Sequence, residues 1–143
     1  MTKVGSVSSL YYSTVNGRVL TSELFMDEKG IVKDKYYNKN IERSVLIASL
    51  DSYELVKRHG IDAPYSALGE NLLIDYNPYH LPTGSRLIIG NVALEISQHC
   101  TLCKSLTKVD SKLPKLLKDD RGIFAKVIKS GSIKADDDIY LLD

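Results

Sequence analysis

Two cysteines stand three apart in Ser97-Gln-His-Cys100-Thr-Leu-Cys103-Lys-Ser-Leu106, and the 143-residue chain has no others. A cysteine thiolate is the softest ligand and the strongest nucleophile among the side chains. Further on, Arg121-Gly122 opens an apolar run, Arg-Gly-Ile-Phe-Ala-Lys-Val-Ile. A thiol followed by an arginine ahead of a strand suggests a nucleophile or metal ligand with an oxyanion fork nearby. Cys103 and Arg121 are the residues on which chemistry is expected to centre.

The pair of thiols allows three readings when taken alone. A structural zinc site needs four ligands, and His59, His80 and His99 follow no recognised ligand spacing. A redox dithiol would suit a Cys-x-x-Cys ahead of a helix, because a helix N-terminus lowers a thiol pKa, but no βαβ frame surrounds it. Free cysteine is also a common small buried residue. Elsewhere, Gly69-Glu70-Asn71 reads as a turn, with Glu70 and Asn71 candidates for the mouth of a pocket. Lys104, Lys108, Lys112, Lys115 and Lys118 would form a basic stripe on a helix, either a solvated face or an anion-facing rim.

The elements that must position these residues are mostly strands. Residues 4–14 are rich in Val, Ser and Tyr, as a strand would be. Asn16-Gly17 marks a hairpin, with residues 18–25 returning. Residues 33–43 are polar and tyrosine-rich, as in a loop, and residues 44–50 form a short buried strand. The clearest helix is 51–59, with Asp51 as cap, Glu54 completing a capping box, and Gly60 past its end. Strands are expected over 72–76, 86–89, 92–97, 124–129 and 139–142. Residues 104–118 are helical in parts, with Pro114 restarting the helix. Many short strands and one or two short helices predict a mainly β domain built as a barrel.

Length suits one domain, residues 1–143, with a sizeable core. A formal net charge of +1 offers no argument for nucleic acid or a membrane surface. No apolar run approaches the roughly 20 residues that span a bilayer. The N-terminus lacks a signal-peptide pattern, so a cytoplasmic location with reduced thiols is expected.

Taken in order, the motifs resemble the MOSC domain, the C-terminal domain of molybdenum-cofactor sulfurases. They are Gly69-Glu70-Asn71-Leu72, then Leu81-x-x-Gly84-x-x-Leu87-x-Ile89-Gly90-x-Val92-x-Leu94-Glu-Ile-Ser-Gln98, Cys103, and Arg121-Gly122-x-x-Ala125-x-Val127-x-x-x-Gly131-x-Ile133. The resemblance runs over residues 3–142. Cys103 falls on the family cysteine, Arg121 on its arginine, Glu70 and Asn71 on its Glu-Asn pair, and Arg43 on its arginine before an apolar strand. Leu102 replaces a proline, Lys33 the glycine of a Gly-Asp pair, Tyr36 a frequent histidine, and Asp136 the glycine of the closing Gly-Asp. Cys100 is an extra thiol.

The resemblance implies a closed barrel of the pyruvate-kinase barrel type. It implies Cys103 as molybdenum ligand, with Arg121 and either Lys104 or Arg43 holding the phosphate of the molybdenum-pterin cofactor. Glu70 and Asn71 would meet the pterin edge. Cofactor-bearing members reduce small N-hydroxylated substrates. In the sulfurases the domain receives sulfur, so a persulfide on Cys103 is the alternative, and a non-catalytic binding barrel is the third. The chain has no pyridoxal phosphate site and no iron–sulfur cysteine cluster. A cysteine desulfurase or an external electron-transfer protein is therefore the expected partner.

Overall fold

The computed structural model describes residues 1–101 and 110–143. Cys103 and Lys104 thus lie outside the described residues, as do Lys108 and the first part of the expected 104–118 helix.

Eleven strands are described: β1 (Thr2–Thr14), β2 (Gly17–Thr21), β3 (Glu23–Asp27), β4 (Gly30–Ile31), β5 (Val45–Ser49), β6 (Leu72–Ile74), β7 (Arg86–Ile89), β8 (Val92–His99), β9 (Ile123–Lys129), β10 (Gly131–Lys134) and β11 (Asp138–Leu141). Two α-helices, α1 (Leu50–Arg58) and α2 (Leu113–Leu116), and a 3₁₀ turn over Ile41–Arg43 complete the described elements. Among the described residues no helix is long and apolar enough to cross a membrane.

The large sheet runs β11-β7-β8-β9-β5-β6-β1-β2, and β1 also pairs with β11. That last pairing closes the sheet into a barrel of seven strands, with β2 outside the ring. The mainly β, closed-barrel expectation is met. Closure removes open edges, which would otherwise present unpaired backbone groups. β10, β3 and β4 form a separate three-stranded sheet.

Side-chain alternation explains why β5 is buried along its whole length. Val45 and Ile47 join Leu72 and Ile74 of β6 and Ile123 and Ala125 of β9 in the barrel interior. Ala48 and Leu73 face the other way and pack with Tyr53 and Val56 of α1 and with Leu113 and Leu117. A strand covered on both faces reads as a continuous apolar run, as Val-Leu-Ile-Ala does here.

Three local expectations are corrected. The 18–25 return strand breaks at Ser22 into β2 and β3, which belong to different sheets. The pattern showed no βαβ alternation, yet β5 and β6 pair in parallel with α1 between them. The crossover was hidden because its return strand is only three residues long. The helix starts one residue early, at Leu50, and its cap is Ser49, not Asp51. β5 stays extended through Ser49, whose side chain accepts the Asp51 N–H at 3.0 Å. Asp51 then sits in the first turn, where a carboxylate complements the dipole.

Ser49→Ala is therefore expected to cost about 1 kcal/mol, the usual value of an N-cap. Asp51→Ala should cost clearly less. Urea denaturation of the two variants checks the order.

Candidate functional site

A cavity of about 610 Å³ lies against the outer face of β5 and β9, where Leu46 and Phe124 contribute to its wall. The barrel interior, by contrast, is filled by side chains. Three connections complete the wall: the loop carrying Asp34, Lys35, Tyr36, Lys39, Asn40 and Arg43, the turn around Leu68, Gly69 and Asn71, and the stretch Cys100–Thr101 with Arg121. Arg18 of β2 and Ser13 of β1 close it. Three of the candidate site residues, Arg43, Asn71 and Arg121, thus line one cavity. The structure adds Arg18, Lys35, Lys39 and Cys100.

Arg121 is only 6% exposed. Its Nη1 donates to the Leu68 carbonyl, while its Nε is buried with no hydrogen-bond partner among the described residues. Gly122 makes this approach feasible. Its φ is +151°, and a Cβ there would stand 3.0 Å from Leu46 Cδ1 and 3.3 Å from the Ile47 carbonyl. The Gly122 carbonyl accepts the Cys100 N–H at 2.9 Å, which ties the cysteine segment to the arginine. Cys100 itself is buried on the cavity wall.

The turn that receives Arg121 is braced by Arg18. Its Nε donates to Ser66 Oγ at 2.9 Å, its Nη1 to Ser13 Oγ at 2.8 Å, and its Nη2 to the Glu70 carbonyl. Burial lowers the Arg18 pKa from its usual value, and the nearby Glu70 and Asp34 charges pull it back up. Sequence reasoning missed Arg18 because its local context is only a strand after a hairpin. Two of its three partners, Ser66 and Glu70, are distant in the chain.

Glu70 departs from expectation. Its carboxylate is fully buried, accepts the Tyr53 hydroxyl at 2.7 and 2.9 Å, and accepts the Ser66 N–H at 3.0 Å. It does not line the cavity. A buried carboxylate must be hydrogen-bonded, and α1 supplies the donor through Tyr53. Burial and the adjacent Glu70 carboxylate push the Tyr53 pKa far up. Asn71 lines the cavity, but its amide is committed to backbone. Oδ1 accepts the Leu46 N–H at 3.0 Å, and Nδ2 donates to the Tyr11 carbonyl at 3.2 Å. Asn71 thereby pins the turn to β5 and β1.

A second network, also absent from the sequence reading, holds the chain just before Arg121. Ser49 N–H donates to Tyr79 Oη at 2.8 Å, Tyr79 Oη and Ser52 Oγ are 2.7 Å apart, and Ser52 Oγ donates to the Asp120 carbonyl at 2.5 Å. Each hydroxyl has one hydrogen, so Tyr79 must donate to Ser52.

The cavity is strongly cationic. Arg18, Lys35, Lys39, Arg43 and Arg121 line it against one carboxylate, Asp34. That carboxylate is occupied by the N–H groups of Ser13 at 2.7 Å and Tyr36 at 2.9 Å. None of the five cations forms an ion pair among the described residues. Arg43 lies exposed with its guanidinium carbon 4.7 Å from the Phe124 ring centre. No three His, Cys, Asp or Glu side chains cluster as metal ligands among the described residues. The charge of the cavity complements an anion.

The sequence profile of the MOSC domain matches residues 25–140. The chain belongs to the MOSC domain family. Solved structures agree on the fold. The YuaD protein of Bacillus subtilis superposes with a TM-score of 0.85 at 18% identity, covering 95% of this chain and 94% of that one. YiiM of Escherichia coli gives a TM-score of 0.74 at 20% identity, over 96% of this chain and 70% of that one. YiiM of Geobacillus stearothermophilus gives 0.69 at 14% identity, over 99% and 75%. A search of curated protein sequences returned no match. In this MOSC domain, Arg121 of the Arg-Gly pair reaches the turn of the Glu-Asn pair through the Leu68 carbonyl.

Burial raises the Tyr79 pKa to about 12. The folded state therefore holds this proton more tightly than the unfolded chain, whose tyrosine titrates near 10. The contribution is complete below about pH 10 and is lost as pH rises toward 12. Unfolding stability measured across that window should fall, and Tyr79→Phe should make the fall shallower by about 1.4 kcal/mol per pH unit.

Proposed function

We propose that this MOSC domain binds the molybdenum-pterin cofactor in the cationic cavity and serves as an oxidoreductase for small N-hydroxylated compounds. The observation that carries the reading is Arg121, a guanidinium on the wall of a cationic cavity with no carboxylate partner among the described residues. Arg121 lines the cavity with its Nη1 bonded to the Leu68 carbonyl, and a guanidinium suits a phosphate.

The residues present fit the group. Arg121 would take the cofactor phosphate, with Arg18 holding the turn beneath it. Cys103, two residues past Thr101 of the cavity wall, would be the soft thiolate ligand. Lys104 follows it directly as a further cation. Asn71 and Glu70 would act through the turn they anchor rather than on the pterin edge. When bound, the cofactor supplies oxidation–reduction at molybdenum, and electrons would come from a separate protein.

A second reading is favoured by Cys100, a buried thiol on the cavity wall close in sequence to Cys103. In that reading the Cys103 thiolate attacks the outer sulfur of a desulfurase persulfide. The sulfur moves to Cys103, and the desulfurase cysteine leaves as thiolate.

Protein purified from cells that make the cofactor should carry molybdenum and pterin at near-stoichiometric levels. Cys103→Ser should lose the metal, and Arg121→Ala should lose most of the pterin. Metal-free wild-type protein would overturn the first reading. Mass gained as one sulfur on Cys103 after incubation with a desulfurase and cysteine would establish the second.

A further inference from the structure

The five cavity cations divide into two sets by how they are held. Arg18 and Arg121 are anchored on the 66–70 turn through Ser66, Leu68 and Glu70. Lys35, Lys39 and Arg43 are exposed and come from one connection, residues 34–43, on the other side of the wall. That connection is stiff. Asp34 accepts from Ser13 N–H and Tyr36 N–H, the Lys35 N–H donates to the Ser13 carbonyl at 2.8 Å, and the Asn38 N–H to the Lys29 carbonyl at 2.8 Å. Tyr37 Oη donates to Asp27 at 2.7 Å, and Glu42 is bound by Lys126 at 3.4 Å and by Ser97 Oγ through its carbonyl. Glu42 is thereby drawn to β9, away from Arg43.

Three cations held on a braced rim, with no carboxylate partner among the described residues, repel one another. Such an arrangement is stabilised when an anion enters between them. Aromatic surface accompanies the charge: Tyr36 is exposed beside Lys35, and Phe124 lies under Arg43. The inner arginine already serves the cofactor phosphate in the reading above, on which this step rests.

We infer that Lys35, Lys39 and Arg43 form a second oxyanion site at the cavity mouth, and that the substrate is an organic anion, a ring compound bearing its own phosphate or carboxylate. The rim cations bind the anionic group, and the Tyr36 and Phe124 rings flank the body of the molecule.

The test compares phenyl phosphate with phenol by titration calorimetry on the purified protein, with molybdenum measured in every sample. Phenyl phosphate should bind at least about tenfold more tightly, with an affinity that falls as salt rises. Lys35→Glu with Lys39→Glu should abolish that preference, while molybdenum content stays at the wild-type level. Both lysines are exposed, so the charge-reversed protein should fold, which its circular dichroism checks. Equal binding of the two probes overturns the inference. So does unchanged phenyl phosphate affinity in the double variant, or a fall in molybdenum content with it, since the rim would then serve the cofactor. Protein without molybdenum whose phenyl phosphate binding still depends on the rim lysines would sink the cofactor reading and keep this one.

Discussion

A buried guanidinium without a carboxylate partner among the described residues is the constraint around which this domain is arranged. Arg121 brings a cationic guanidinium to a position only 6% exposed. It must be solvated by something, because a buried charge is tolerated only when bonded. The protein supplies part of that solvation, one backbone carbonyl at Leu68, while Nε has no hydrogen-bond partner among the described residues. Everything that keeps this carbonyl in place contributes: Arg18 bracing the turn, Tyr53 satisfying Glu70, and Asn71 locking the turn to two strands. The Ser49–Tyr79–Ser52 relay does the same for the chain entering Arg121.

These supports explain why two motifs separated by some fifty residues belong together. Gly69-Glu70-Asn71 is a turn whose polar side chains point into the protein and whose backbone points at the site. Arg121-Gly122 is a side chain aimed at that backbone, with a glycine that lets the strand below come close. Neither motif makes the site alone.

What could be read from the sequence followed the range of the interactions involved. Period-2 patterning and the Asn16-Gly17 turn located nearly every barrel strand, because strand alternation and turn chemistry are local. The helix was found, but its cap was displaced to Ser49, since a capping box pattern says nothing about where the preceding strand lets go. Arg43, Asn71 and Arg121 were placed at one cavity through resemblance to a family. Their bonding was not legible, and Glu70 turned inward to a tyrosine on another element. Arg18 and Tyr79 were invisible, because the contacts that place them at the site, Ser66 and Glu70 for one and Ser49 and Ser52 for the other, lie tens of residues away. The parallel pairing of β5 with β6 was missed for the same reason.

The cavity shares a wall with the barrel without opening into it. Along β5, Val45 and Ile47 face the sealed interior while Leu46 faces the cavity. Along β9, Ile123 and Ala125 face inward while Phe124 faces outward. Neighbouring residues on one strand therefore answer to different demands. A change at the inward positions is felt as packing, and a change at the outward ones as the shape of the binding surface. The architecture behaves as a party wall: the occupants on one side can be exchanged while the house on the other side stays standing.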